Sequence, residues 1–319
     1  MKALTNYFLY LLILLALPIN TLHADTLVVF GDSLSDTGNL AAALNQQGIT
    51  FPAEAFDGRA SNGIVAVEVL AALLNTTIEP SLFLLGLNAG GNYAVATARA
   101  RVADDRPIHF PYQLNAYLLN TNGIADADAT FVIQIGGNDV RDAFFADGDE
   151  TYSILQAALL SLQSNIDLLI NSGARKILVS NSANLTEVPE IITAINNSIS
   201  VYEKRRKRFK AQLLSLIFNH RLQKILSLHR HQHQQSDLVI AEVKIPELFK
   251  FLKKNQSSLG FVDIKNGCLL LNLDSFQYSR TVNCDLDNDI DHFLFFDQIH
   301  LSAAGHEYLG RYLYLNTPR

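Results

Sequence analysis

The stretch Thr26-Leu-Val-Val-Phe30-Gly31-Asp32-Ser33-Leu34-Ser35-Asp36 constrains this chain more than any other. Leu27 to Phe30 form an apolar, β-branched run that reads as a buried strand. A sharp Gly31-Asp32-Ser33 turn follows, then a polar segment with Asp36, Gly38 and Asn39. Open α/β sheets bind ligands outside the carboxyl ends of their parallel strands. A serine leaving the first strand at that place presents its hydroxyl to a substrate. The plainer role for Ser33 is to cap the next helix. The choice between them turns on whether the chain also supplies a base, an acid and oxyanion donors.

Strand-like and helix-like segments alternate along the rest of the chain. Ser61 is a candidate N-cap for a helix over Asn62 to Leu74. Ala129 to Ile135, Lys176 to Ser180 and Asp237 to Val243 read as buried strands. Helices are expected over Tyr152 to Asn171, from about Ser198 to His229, and over Ser302 to Leu315. This alternation implies an α/β fold with a parallel sheet covered on both faces, in a single domain over residues 25–319.

The first residues stand apart. Lys2 precedes an apolar run from Tyr7 to Leu17, and Leu22-His23-Ala24 ends the segment. Residues 1–24 are expected to be a signal peptide cleaved after Ala24, which directs the chain to the periplasm or outside the cell. No other stretch reads as a membrane span. Without Lys2 the chain holds 24 basic and 31 acidic residues, a formal charge of 24 − 31 = −7, which argues against nucleic-acid binding. The only cysteines, Cys268 and Cys284, form an even pair, and in an oxidising compartment they are expected to be disulfide-bonded. Closing a loop of about 15 residues is worth about 3 kcal/mol in the chain-entropy picture.

A second decisive stretch is Phe295-Phe296-Asp297-Gln298-Ile299-His300. A serine hydroxyl is a poor nucleophile until a neighbouring base takes its proton, and that base needs an acid to fix its tautomer. Asp297, three residues before His300, can supply this; His306 has no such partner and is the weaker candidate. Gly136-Gly137-Asn138-Asp139, after the second strand, offers a side-chain amide and close backbone approach for an oxyanion.

Together these blocks resemble the GDSL, or SGNH, hydrolase family over essentially all of residues 25–319. Phe30 to Asp36 resembles its nucleophile block, Gly58-Arg-Ala-Ser-Asn-Gly63 a segment of its lipolytic members, and Gly137-Asn138-Asp139 its asparagine block. Asp297-x-x-His300 resembles its acid and base. The resemblance implies a flavodoxin-like three-layer α/β/α sandwich and serine esterase chemistry with no cofactor and no metal. Ser33 is then nucleophile, His300 base and Asp297 its orienter, with Asn138 and the Ser33 amide as oxyanion donors. Asn92 to Ala98 departs from the pattern: Thr97 stands where the family carries a glycine whose amide is the third donor. A threonine there is expected to crowd the pocket and restrict the turn.

The Cys268–Cys284 loop before Asp297 resembles the bacterial secreted branch of lysophospholipases A and glycerophospholipid:cholesterol acyltransferases. That branch implies a lipid or lysophospholipid substrate, a sterol as acyl acceptor, and an activating protease that cuts the loop and frees a lid. The alternatives are a plain stabilising staple, a short-chain or carbohydrate esterase, and an inactive binding protein. Three other features carry weaker expectations. Lys204 to Lys210 is a basic run on an amphipathic helix, either a solvated face or a peripheral membrane contact. His229, His231 and His233 are expected to be solvent-exposed, and Asp285, Asp287, Asp289 and Asp291 lack the glycine and glutamate of a calcium loop.

Overall fold

In the computed structural model, residues 26–272, 277–281, 284 and 290–318 are described. The expected signal peptide, residues 1–24 with its cleavage point after Ala24, therefore lies outside the described residues. Four parallel strands, β1 (Leu27–Gly31), β2 (Thr130–Gln134), β3 (Lys176–Ser180) and β4 (Val239–Val243), hydrogen-bond in that order. Gly91 to Val95 runs beside the free edge of β1, where Tyr93 N–H donates to Val29 O at 2.8 Å and Val29 N–H to Gly91 O at 2.9 Å.

Alternation along the strands divides the core into two layers. Val28, Phe30, Phe131, Ile133, Ile177 and Val179 face one side. There they pack on α3 (Phe110–Asn120), α5 (Glu150–Asn171) and α7 (Val201–Gln232), through Phe110, Leu162 and Phe218 among others. Val29, Val132 and Leu178 face the other side. Their partners are α2 (Ala66–Leu73), α8 (Ile245–Lys254) and α9 (Ala303–Asn316), through Leu70, Phe249 and Leu309. Each such side chain, fully buried, contributes about 1.5–3 kcal/mol, so both faces of the sheet are committed. This is the α/β class with a helix-flanked parallel sheet that the alternation implied.

The remaining helices are α1 (Asn39–Gln46), α4 (Gly137–Phe145) and α6 (Pro189–Asn196). Outside the main sheet, β5 (Asp263–Gly267) pairs in parallel with β8 (Phe293–Phe295), and β6 (Leu269–Asn272) pairs antiparallel with β7 (Gln277–Arg280). α5 is long and apolar enough to cross a bilayer by length and composition. Its Leu155, Leu159, Leu162 and Ile166 are instead buried in the core.

Ser61 does not cap the helix it precedes. α2 starts at Ala66, where Glu68 accepts the Val65 N–H at 2.8 Å, and the Ser61 hydroxyl donates to Leu301 O at 3.1 Å. His229 is buried rather than exposed, with Nδ1 3.2 Å from the Asp167 carboxylate. Burial pushes its pKa down. Of the four spaced aspartates, Asp285, Asp287 and Asp289 lie outside the described residues; among the described residues no cluster could hold a metal.

Candidate active site

β1 ends where its backbone must approach β2 closely: a Cβ on Gly31 would stand 2.8 Å from Gln134 O. The Gln113 side chain holds both polar groups of Gly31, accepting from its N–H at 2.9 Å and donating to its carbonyl at 2.8 Å. The chain then turns tightly, with Asp32 O accepting from Ser35 N–H and Asp36 N–H, each at 3.0 Å. Ser35 Oγ donates to Gln134 Oε1 at 2.7 Å. Asp36 takes the N–H groups of Gly38, Asn39, Leu40 and Ala96, tying the start of α1 to the Thr97 turn. Ser33 therefore sits on a turn fixed from several sides. It caps no helix.

Asp297 and His300 arrive from the loop after β8. Asp297 is fully buried; its Oδ1 accepts the N–H groups of Ile299 and His300, each at 2.7 Å, which folds the loop. Its Oδ2 lies 2.7 Å from His300 Nδ1, and His300 Nε2 lies 2.9 Å from Ser33 Oγ. Residues separated by 267 positions thus complete one hydrogen-bonded line. Burial pushes the His300 pKa down, but the charge and hydrogen bond of Asp297 outweigh it, and the net shift is upward. His306 is elsewhere engaged. Its Nδ1 accepts from Ala66 N–H at 3.1 Å, and burial pushes its pKa to about 3.

Asn138, at the start of α4, lines the same pocket as Ser33. One hydrogen of its side-chain NH₂ goes to Ala98 O at 2.8 Å, leaving the other for a ligand. The neighbouring Asp139 is buried and takes Ala100 N–H at 2.7 Å and Arg101 Nη1 at 2.7 Å. The asparagine block and the Thr97 turn are thereby one unit.

Thr97 has φ of 69°, the left-handed conformation that glycine adopts without strain. Its side chain does not crowd the pocket as the sequence suggested: Oγ1 accepts from Arg106 at 3.2 Å, and Thr97 is absent from the pocket lining. Among the described residues, no backbone carbonyl takes the Ser33 or Thr97 N–H.

The pocket, about 120 Å³, opens beyond the carboxyl ends of β1, β2 and β3. Its walls are mainly apolar, with Leu34, Ile135, Leu185, Ile191, Phe249 and Ile299 among them. Asp32 also faces it, and burial raises this carboxyl to about 6 despite the Leu34 N–H it accepts at 3.1 Å.

Cys268 and Cys284 are disulfide-bonded, with Cα atoms 5.1 Å apart. The described residues of the loop they close do not line the pocket. They brace the acid. Tyr278 OH donates to Asp297 Oδ2 at 3.3 Å, and its ring meets Phe296 edge-on at 5.0 Å. Gln298 clamps Leu271 through both backbone groups, at 2.7 and 2.5 Å. Sequence reasoning missed Tyr278 and Gln113. Tyr278 carried a signal, lying within the disulfide loop next to the acid; Gln113 carried none.

Residues 27–313 match the model of the family described as GDSL-like Lipase/Acylhydrolase. A GDSL esterase/lipase of Arabidopsis thaliana is 32% identical over 188 residues, 48% of this chain and 48% of that one. A second A. thaliana GDSL esterase/lipase is 25% identical over 327 residues, covering 90% of this chain and 88% of its own. Acetylajmalan esterase 2 of Rauvolfia serpentina is 25% identical, covering 91% and 89%. These relatives are plant proteins and lend no support to the bacterial lysophospholipase and acyltransferase branch. Because the match runs from β1 into α9, this chain belongs to the GDSL-like lipase/acylhydrolase family and is a hydrolase of carboxylic esters.

Proposed function

We propose that Ser33, His300 and Asp297 are the catalytic triad of a lipid acyl-ester hydrolase, with lysophospholipids as substrate class. The observation that carries this is the line Asp297 Oδ2–His300 Nδ1, His300 Nε2–Ser33 Oγ, at 2.7 and 2.9 Å, opening on an apolar pocket. His300 takes the Ser33 proton as Oγ attacks the acyl carbonyl carbon. The carbonyl oxygen becomes an oxyanion held by the Asn138 amide and the N–H groups of Ser33 and Thr97. Each such donor is worth about 10²–10³ in rate. The intermediate collapses, the alcohol leaves with the proton from His300, and the acyl group stays on Ser33. Water then enters where the alcohol left and gives a proton to His300 as it attacks the acyl carbon. The acid is released as the Ser33 Oγ–acyl bond breaks and Oγ takes that proton back; a sterol in place of water would make the step an acyl transfer.

Export belongs to this reading, and the disulfide supports it, since cytosolic thiols are kept reduced. A short-acyl ester is the second reading, favoured by the pocket of about 120 Å³. An engineered cavity of about 150 Å³ holds one benzene. The relative named acetylajmalan esterase 2 points the same way.

The test is fatty-acid release from lysophosphatidylcholine beside hydrolysis of a p-nitrophenyl ester series of rising acyl length, with Ser33→Ala as blank. Release from the lysolipid, lost in Ser33→Ala, supports the lipid reading. Hydrolysis confined to acetyl and butyryl esters selects the second. No labelling of folded protein by a fluorophosphonate would sink both.

A further inference from the structure

α7 is amphipathic in an unusual way: both of its faces carry large apolar groups. Ala211, Leu214, Phe218 and Leu222 are buried in the core. Tyr202, Phe209 and Leu216, spaced seven apart on the opposite face, are 78, 64 and 67% exposed. Ile199, just before the Ser200 N-cap, and Val201, the first residue of the helix, are 98 and 69% exposed. Such a stripe, about 20 Å long at 1.5 Å per residue, has nothing covering it in the described chain. It is also the most basic part of an acidic protein of net charge −6. Lys204, Arg205, Arg206 and Arg208 make no ion pair among the described residues, whereas Lys207 pairs with Glu203 at 2.8 Å.

The location matters as much as the composition. A notch of about 300 Å³ lies where Arg206, Lys207 and Lys210 face Phe144 and Phe145 of α4 and Ala194 of α6. The same two helices form a wall of the ester pocket, through Asn138 and Arg141 on α4 and Ile191 on α6. Arg141 ties them together, pairing with Glu190 at 2.5 and 2.6 Å while stacking over the half-exposed Phe145 ring at 5.4 Å.

We propose that this face of α7 docks on an anionic phospholipid bilayer, Tyr202, Phe209 and Leu216 entering the headgroup boundary and the arginines meeting lipid phosphates. The inference rests on the lipid-ester reading and gives that site its substrate surface. Interfacial helices have this makeup, aromatic and aliphatic groups beside lysines and arginines. A second copy of the chain is the poorer occupant, because a two-fold contact sets the arginines of one copy against those of the other.

The experiment is flotation of the full chain with vesicles of phosphatidylcholine alone or mixed with phosphatidylglycerol. Two double variants, Tyr202→Ser with Phe209→Ser and Arg205→Gln with Arg206→Gln, are compared with the parent. Each basic group near an anionic surface is worth about fivefold in binding, so the arginine variant should bind about thirtyfold more weakly. The apolar variant should also lose binding, and the parent should bind phosphatidylglycerol vesicles far better than neutral ones and release in salt. Binding undiminished in both variants places the contact elsewhere and overturns the proposal, as does equal binding to neutral vesicles. So does a dimer in sedimentation that the apolar variant dissociates. Short-ester hydrolysis, read on the same preparations, should be unchanged in both variants. If the parent hydrolyses short esters but binds neither kind of vesicle, the docking surface has failed while the esterase stands.

Discussion

Replacing Asp32 with asparagine separates the electrostatics of the nucleophile turn from its shape. The Asp32 carboxyl is 5% exposed, and burial raises its pKa from 3.8 to about 6, with the Leu34 N–H and the charge of His300 opposing. The folded chain therefore holds this proton more tightly than the unfolded chain. The stability that follows is present below the unfolded value of 3.8 and is lost as pH rises through about 6. A shift of about two units corresponds to about 3 kcal/mol against the folded state once the group is ionised. Asparagine keeps the shape and an oxygen for the Leu34 N–H, and it never ionises. The variant should gain about 3 kcal/mol relative to the parent near pH 8, but only about 0.5 kcal/mol near pH 4. An unpartnered side-chain NH₂ would subtract about 1–3 kcal/mol, equally at both pH values. The readout is therefore the difference between the two. Urea unfolding of parent and variant at both pH values measures it. A stability difference that stays flat from pH 4 to pH 8 would refute the burial argument. Activity gives an independent check: the Asp32 charge helps hold the His300 pKa up, so the acid limb of kcat/KM should move to lower pH in the variant.

Three further outcomes follow from single contacts. In the parent, kcat/KM should fall with acid through a pKa above the 6.5 of free histidine, because His300 must be neutral to accept the Ser33 proton and its pKa is raised; a limb below 6.5 would mean Asp297 does not charge-pair with it. Tyr278→Phe removes the hydroxyl on Asp297 Oδ2 and should lower kcat about 2- to 10-fold, in line with about 0.5–1.5 kcal/mol for one hydrogen bond, with little change in KM. A matched loss of stability and none of kcat would make Tyr278 a packing residue only. Thr97→Gly relieves about 1–2 kcal/mol of left-handed strain at φ 69° and gives back about 0.5–1 kcal/mol through unfolded-chain entropy. Thermal melting should show a small gain, and esterase activity should persist, since the amide remains; a hundredfold loss of kcat would show that the threonine side chain is used.

How much was legible depended on whether the information was local. β3 was readable to the residue, because the apolar run Ile177-Leu178-Val179, flanked by Lys176 and Ser180, lies between a glycine-stopped helix and a polar loop. α2 was misplaced by four residues at its start, because Ser61 and Asn62 have the character of caps while their partners are Leu301 and Ala303. No periodicity announces a partner about 240 residues away. The same holds for His229, whose polar neighbours suggested solvent although its ring is enclosed. At the site, the acid and base were legible because three residues of spacing suffice to close their hydrogen bond, whereas Gln113 depends on how α3 meets β1.

The Gly58 to Gly63 segment shows why a motif with no place in the chemistry can still accompany it. Arg59 is held by Glu68 at 2.7 and 3.0 Å, which stiffens the approach to α2. From there Ser61 donates to Leu301 O at 3.1 Å, and Asn62 Oδ1 accepts the Ala303 N–H at 2.8 Å. A Cβ on Gly63 would stand 2.7 Å from that of Ala303, and one on Gly310 would stand 2.4 Å from Val69 Cβ, so α9 and α2 meet where only glycine fits. His306 adds the bond to Ala66 N–H from inside the contact. Leu301, Ala303, His306 and Gly310 all follow His300 in the chain, and the bonds that Leu301, Ala303 and His306 make here go to the Ser61–Ala66 stretch. Their combined effect is to seat the acid–base loop against the half of the sheet that carries the nucleophile turn. A 2.9 Å contact between side chains 267 positions apart needs such a fastening. A displacement of about 1 Å can cost about a hundredfold in rate, so with the proposed triad the segment would act on catalysis by fixing a distance.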